Sequence, residues 1–147
     1  MLGYLNDSSS NIALRRSTLA SHVQVSRNYR AAPDGSGTLT TALHRLEAEK
    51  DNLWSKHLPA MVGGYFQDLL EVTENVLGSL RANGECWMVV GDSKYGNTHV
   101  PVAEVVKELL QSRGHNVYSA VPIRHMKTSA QQGFKSSLAE SLLKVRR

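Results

Sequence analysis

The chain has 147 residues, with 17 Lys+Arg against 13 Asp+Glu, 41% hydrophobic residues and a single cysteine. This is the size of one globular domain, and its near-average composition argues against a wholly disordered, collagen-like or disulfide-stapled chain. No run of 18 apolar residues could span a bilayer, Cys86 has no disulfide partner, and Met1–Asp7 lacks the pattern of a signal peptide, so a soluble, cytoplasmic protein is the expectation.

The net charge of +4 is unevenly spread: +2 over residues 1–35 (four basic, two acidic), −3 over 36–85 (four basic, seven acidic) and +5 over 86–147 (nine basic, four acidic). Basic ends can meet phosphates or simply form a solvated surface, and charge does not choose between them. Residues 1–37 hold Asp7-Ser-Ser-Ser-Asn11, Arg15, Arg16, Arg27, Arg30 and Ala31-Ala-Pro-Asp-Gly-Ser-Gly37, with little apolar periodicity. They read as a basic, loop-rich and poorly packed arm, with the folded domain over 38–147.

From Thr38 to about His57, Leu39, Leu43, Leu46 and Leu53 recur at near-helical spacing among charges, which predicts a mostly exposed helix. A stronger stripe over Ala60–Arg81 combines Met61, Val62, Tyr65, Phe66, Leu69, Leu70, Val76, Leu77 and Leu80, and Asn83-Gly84 supplies a left-handed stop. The run Cys86-Trp-Met-Val-Val-Gly91 is apolar without alternation, the pattern of a strand buried on both faces in the middle of a sheet. Asp92–Thr98 reads as a polar loop, and Pro101 suits the first turn of a helix whose apolar face is Val102, Val105, Val106, Leu109 and Leu110. Gly114 ends that helix, His115–Ile123 reads as another strand, and Arg124-His-Met-Lys127 as a basic loop. Periodicity leaves the segment from Leu138 to Val145 open between a helix and a short edge strand. The order helix, strand, helix, strand is an α/β signature with a right-handed crossover, although only about three strands are visible, as in half of a doubly wound domain.

Ligands of open α/β sheets sit at the carboxyl ends of strands, which singles out Gly91, Asp92 and Ser93: the glycine allows close approach, the carboxylate accepts and the hydroxyl does either. The plainer alternative is a turn after a strand. His99 and His125 lack ligand-spaced partners, so no metal site is expected, and Cys86 in an apolar strand reads as a core thiol. Trp87 and Trp54 read first as packing residues, with Trp54 also able to stack on a base. Arg15, Arg16, Arg27 and Arg30 of the arm, with Arg124 and Lys127 of the later loop, are candidate phosphate contacts.

The back half resembles the amino-directed DNA methyltransferases of restriction-modification type, with a class I S-adenosylmethionine-dependent, Rossmann-like fold. Gly64-Tyr-Phe-Gln-Asp-Leu-Leu-Glu-Val72 and Val76–Ser93 are similar to that family's helix, turn and fifth strand, with Ala82-Asn-Gly84 where proline-glycine-glycine is usual. Gly96–Pro101, the helix up to Arg113-Gly-His-Asn-Val117, and Glu140–Arg147 are similar to its last helix and final antiparallel strand pair, so the resemblance makes Ser141–Val145 a strand. The likeness covers residues 60–147; in front, Met1-Leu-Gly3 and Ala13–Ser21 are only weakly similar to the stretch after the family's catalytic loop.

The resemblance implies methyl transfer from S-adenosylmethionine to adenine N6 or cytosine N4 of DNA. The family's catalytic Pro-Pro-aromatic motif and its Phe-x-Gly-x-Gly cofactor loop are both absent from the sequence and would be expected upstream of Met1. The chain is therefore expected to be a C-terminal part of the fold, inactive and without the cofactor on its own. The other readings are the complementing half of a split methyltransferase that pairs with an N-terminal half, a noncatalytic nucleic-acid-binding or interaction module, and a truncated reading frame.

Overall fold

A computed structural model describes residues 7–24, 27–127 and 137–147, with Met126 and Lys127 described by backbone alone. Helices α1 (Ser8–Arg16), α2 (Gly37–Ala48) and α3 (Leu58–Ser79) precede strand β1 (Glu85–Gly91). Strands β2 (Ser93–Tyr95) and β3 (Thr98–Val100), helix α4 (Val102–Ser112), and strands β4 (Asn116–Lys127) and β5 (Ser137–Arg146) follow. The fold is mixed α/β. Its main sheet has the order β1-β5-β4, and β5 runs antiparallel to both neighbours, so β1 and β4 are parallel with β5 inserted between them.

Helix α4 has the apolar face its spacing predicts, with Val102, Val105, Val106, Leu109 and Leu110 all buried. That stripe packs on β1, β5 and β4 and also meets α2 and α3. Gly114, at φ 85°, turns the chain out of the helix while the His115 amide donates back to the Leu110 carbonyl at 2.9 Å. In α3, Met61, Val62, Phe66, Leu69, Leu70 and Leu77 are buried, whereas Val76, counted in the stripe from sequence, is exposed. On the sheet, Val90, Leu143 and Val145 belong to the core, with Cys86, Met88, Val117 and Ala120 packed against it.

Five expectations need correction. The segment from Cys86 to Gly91 forms the expected strand, but at the edge of the sheet rather than its middle, with Trp87 60% and Val89 55% exposed on the face away from the helices. Trp87 is thus no packing residue; Lys144 Nζ lies 4.1 Å from its ring centroid. The run lacks alternation because its outward side chains are also apolar, and among the described residues no helix covers them. The polar loop after β1 is a two-stranded hairpin, Ser93–Tyr95 against Thr98–Val100, turned through Gly96 at φ 56° and Asn97. The supposed basic loop Arg124–Lys127 continues β4. The helix expected up to His57 stops at Ala48, after which Lys50–Asn52 tighten into a 3-10 turn and Leu53 is buried from a loop.

The arm is also better fixed than its composition suggests. Helix α1 buries nothing and is held by Asp7, whose carboxylate accepts from the Ser10 amide at 2.7 Å, a bond that brings its pKa down to about 2. Beyond it the chain docks on α3: the Ala20 amide donates to Asp68 Oδ2 at 3.0 Å, and residues 29–32 cross the helix at Gly63 and Gly64. A Cβ at Gly63 would lie 3.1 Å from Ala32 Cβ, and one at Gly64 3.4 Å from the Arg30 amide, so the glycine pair is where backbone passes over backbone.

The start of α2 is pinned to α4 by polar contacts. Glu108 accepts from Ser36 Oγ at 2.6 Å, Thr38 Oγ1 at 2.6 Å and the Thr38 amide at 3.1 Å, while Ser36 caps α2 through the Leu39 amide. Burial pushes the Glu108 carboxyl up, but the bonds from Ser36 and Thr38 outweigh it and leave its pKa below the ordinary 4.5. A depressed folded-state pKa stabilises fully above the unfolded value and is lost as pH falls through the folded one. Glu108→Gln is expected to cost about 1–2 kcal/mol at pH 7 and to flatten the fall in stability below pH 4.5, as measured by urea unfolding at a series of pH values.

Gly35 sits beside this joint at φ 109°, and an added Cβ would lie 2.8 Å from Ser112 Cβ. Gly35→Ala is expected to destabilise by about 2–4 kcal/mol through left-handed strain plus overlap. Gly37→Ala, with nothing within 4 Å of the new Cβ, is expected to be neutral or slightly stabilising in the same measurement.

Candidate functional site

The carboxyl end of β1 is where sequence places Gly91, Asp92 and Ser93. The Asp92 amide donates to the Ala139 carbonyl at 2.8 Å, which ties the strand end to the start of β5. Both carboxylate oxygens of Asp92 are engaged, Oδ1 accepting from the Val102 amide at 3.0 Å and Oδ2 lying 3.0 Å from His99 Nε2. Pro101 precedes α4 and offers no capping side chain, so Asp92 reaches across from the strand end to satisfy a first-turn amide, where the helix dipole favours a negative charge. Its side chain is 10% exposed against 51% for His99. Asp92 therefore anchors the helix, and its carboxylate faces α4 and the hairpin rather than open space.

Ser93 turns the other way. With Tyr95 it lines a cavity of about 230 Å³ closed by Met61, Tyr65 and Phe66 of α3 and by Val100. Tyr65 and Phe66 meet edge to face, with centroids 5.3 Å apart. Burial raises the phenol pKa values of Tyr65 and Tyr95, keeping both protonated as donors. Among the described residues the lining offers hydroxyls on apolar walls and contains no carboxylate, histidine or cysteine. This suits binding of a flat or apolar group, and the described lining holds no base that would activate its hydroxyls as nucleophiles. The hairpin that builds it was missed from sequence, although Gly96-Asn97 between Ser93-Lys-Tyr95 and Thr98-His-Val100 is a recognisable two-residue turn signal.

The candidate phosphate contacts fall into two places. Arg16, Arg27 and Arg30 line one open cleft of about 390 Å³ with Asp68 and Glu71. Arg27 donates to the carbonyls of Thr18, at 3.0 Å, and Arg15; Arg30 pairs with Glu71 and lies 3.6 Å from Asp68. Arg15 donates to Asn11 Oδ1 at 3.3 Å from the last turn of α1. The structure thus spends Arg27 and Arg30 on holding the arm together and against α3. Arg124 lies elsewhere, forked onto Glu140 with NH2 to Oε1 at 2.8 Å. Glu140 faces Arg124 on one side and Gly91 on the other, so Arg124 shares a row of the sheet with the β1 strand end. The side chain of Lys127 lies outside the described residues.

Cys86 is a half-buried free thiol facing the core, its pKa raised by burial. Among the described residues no three His, Cys, Asp or Glu side chains gather as a metal site, and no helix is long and apolar enough to cross a membrane. Compared with family models, curated proteins and solved structures, the chain finds no match.

Because Asp92 joins strand end, hairpin and helix, Asp92→Ala is expected to lower stability by about 1–2 kcal/mol, with Asp92→Asn recovering part of the loss through its remaining oxygen. Thermal unfolding of the two variants checks this, since a carboxylate kept only for a ligand would leave the midpoint of the free protein unchanged.

Proposed function

We propose that this chain is the C-terminal part of an amino-directed DNA methyltransferase domain, one that completes the sheet and flanks the target base while the methyl donor and the catalytic motif are held by another segment or polypeptide. One observation carries the reading: among the described residues, a strand that is apolar on both sides lies at an open sheet edge, and helices cover the sheet on one face only. Trp87, Val89, Tyr118, Val121 and Ile123, each between 44% and 60% exposed, leave the other face apolar. Such an edge and face call for a further strand and a further layer. The occupant proposed is the N-terminal half of the same Rossmann-like fold. The antiparallel pairing of β4 with β5 is in keeping with the final strand pair that the resemblance implies.

The residues of this chain do not fit S-adenosylmethionine. No glycine-rich turn follows β1, both oxygens of Asp92 are already bonded, and the adjoining cavity presents only hydroxyls and apolar walls. No step of the transfer is therefore assigned to it. What the chain contributes is position: β1 would register against the strands of the catalytic half, and the hairpin would close one side of the base site.

The test uses the purified chain and, as a separate polypeptide, the N-terminal half of an amino-directed methyltransferase carrying Phe-x-Gly-x-Gly and Pro-Pro-Tyr. Calorimetry of the chain alone with S-adenosylmethionine is expected to show no micromolar binding. Mixing the halves is expected to slow hydrogen exchange at the β1 amides and to give transfer of labelled methyl to DNA. Val89→Asp, an exposed position, is expected to leave the stability of the chain within about 0.5 kcal/mol and to abolish both effects. Tight cofactor binding by the chain alone, or unchanged exchange at β1 in the mixture, overturns the proposal.

A further inference from the structure

Trp54 is the most exposed large hydrophobic side chain among the described residues, at 66%. It sits on a short connection between the Lys50–Asn52 turn and α3, and that connection is fixed at two points. Leu53, its neighbour, is buried in the core beside Gly96, where an added Cβ would lie 3.0 Å from Leu53 Cδ2. Glu49, just before the turn, accepts from the Asn97 amide at 3.2 Å and Thr98 Oγ1 at 3.1 Å, locking the tip of the β2–β3 hairpin against the same connection. An indole is therefore held out from a rigid base, where its ring can meet a partner without a large ordering cost.

Beside it opens a cleft of about 430 Å³ lined by Asn52, Leu53, Trp54, Lys94, Tyr95 and Asn97. Its lining pairs an aromatic face with one cation and two side-chain amides. Lys94 makes no ion pair among the described residues, whereas nearby Lys56 is held by Asp51 at 2.8 Å. Leu53, Tyr95 and the indole give the cleft an apolar wall beside these polar groups, so the site is amphipathic. A nucleotide meets every feature: its base stacks on the indole, its phosphate meets the Lys94 ammonium, and its base edge meets the amides of Asn52 and Asn97.

We infer that Trp54, Lys94 and Asn97 form a stacking platform for an unpaired nucleotide of single-stranded DNA. The inference deepens the reading given under Proposed function, because the platform stands on the hairpin that leaves the carboxyl end of β1, next to where a base taken out of its duplex would lie. Binding there needs no second half of the fold and can be measured on the chain alone.

The test is a titration of the chain, in a Trp87→Phe background so that Trp54 is the only indole, with an end-labelled ten-nucleotide single-stranded DNA of mixed sequence. Saturable quenching of Trp54 fluorescence is expected, in step with the rise in anisotropy of the label. Trp54→Ala is expected to weaken binding at least about tenfold, Trp54→Phe to retain most of the affinity, and Lys94→Ala to weaken binding while reducing its salt dependence. Thermal unfolding shows whether each variant keeps the fold. Quenching that does not saturate, or an affinity unchanged in folded Trp54→Ala, overturns the platform, and it does so whether or not the two halves of a methyltransferase complement each other.

Discussion

The apolar face of α4 is the contact on which the other layers depend. Its five buried side chains lie on all three strands of the main sheet while its flanks meet α2 and α3, so removing it would leave neither the sheet nor the helical layer with a core. Burying five such side chains is worth roughly 1.5–3 kcal/mol each before the entropy of ordering is charged against it. Burial alone would not fix where the helix begins or how it is rotated, because apolar contact has no direction. Two carboxylates supply that direction, Asp92 holding the first-turn Val102 amide from the end of β1 and Glu108 holding the start of α2 from the helix surface. Each is bonded at both oxygens, so strand end, hairpin and both helices share one frame.

How legible this was depended on whether a residue's partner lay close in sequence. The helix over Val102–Ser112 was plain because its own apolar period and its flanking proline and glycine all agree. Two strands of the main sheet, at Cys86–Gly91 and from His115 to Ile123, also declared themselves, but the place of the first did not. An unalternating run such as Cys86–Gly91 states that both faces are apolar, and the inference to a central strand added a second assumption, that something in this chain covers both. Ser141–Val145 was ambiguous for a related reason: buried Ser141 interrupts the apolar pattern, and of the two antiparallel neighbours that make it a strand, β1 lies some fifty residues upstream.

The candidate site shows the same division. That Asp92 matters could be read from its place after a strand; that its carboxylate is turned to a helix start ten residues on could not. The arginines of the arm read as candidate phosphate contacts because the acidic partners of Arg30, Asp68 and Glu71, lie some forty residues downstream on α3. A sign was present in Gly63-Gly64, a pair of glycines inside a strongly apolar helical stripe, which signals close passage of another backbone more readily than it signals flexibility. Trp54 was left open between packing and stacking, and its exposure beside the hairpin removes the packing reading.

The asymmetry of the sheet is the feature that local rules account for least. A protein that ends a sheet at an edge ordinarily blunts it with charge, proline or a bulge. Here β1 ends the sheet with Trp87 and Val89; the ammonium of Lys144 lies over the indole, Glu85 accepts from the indole N–H, and the guanidinium of Arg146 is shared between Glu85 and the ring of Tyr118. These cations sit over the aromatic rings, and Arg146 also pairs with Glu85 within the sheet, so they shield the apolar surface without blocking the approach of a strand. The open backbone edge of β1 supplies the hydrogen bonds such a strand would need, and the side chains beside it supply the area. On physical grounds that makes the edge able to accept a further strand, which is why the proposed role is to complete a larger sheet rather than to act from an isolated pocket.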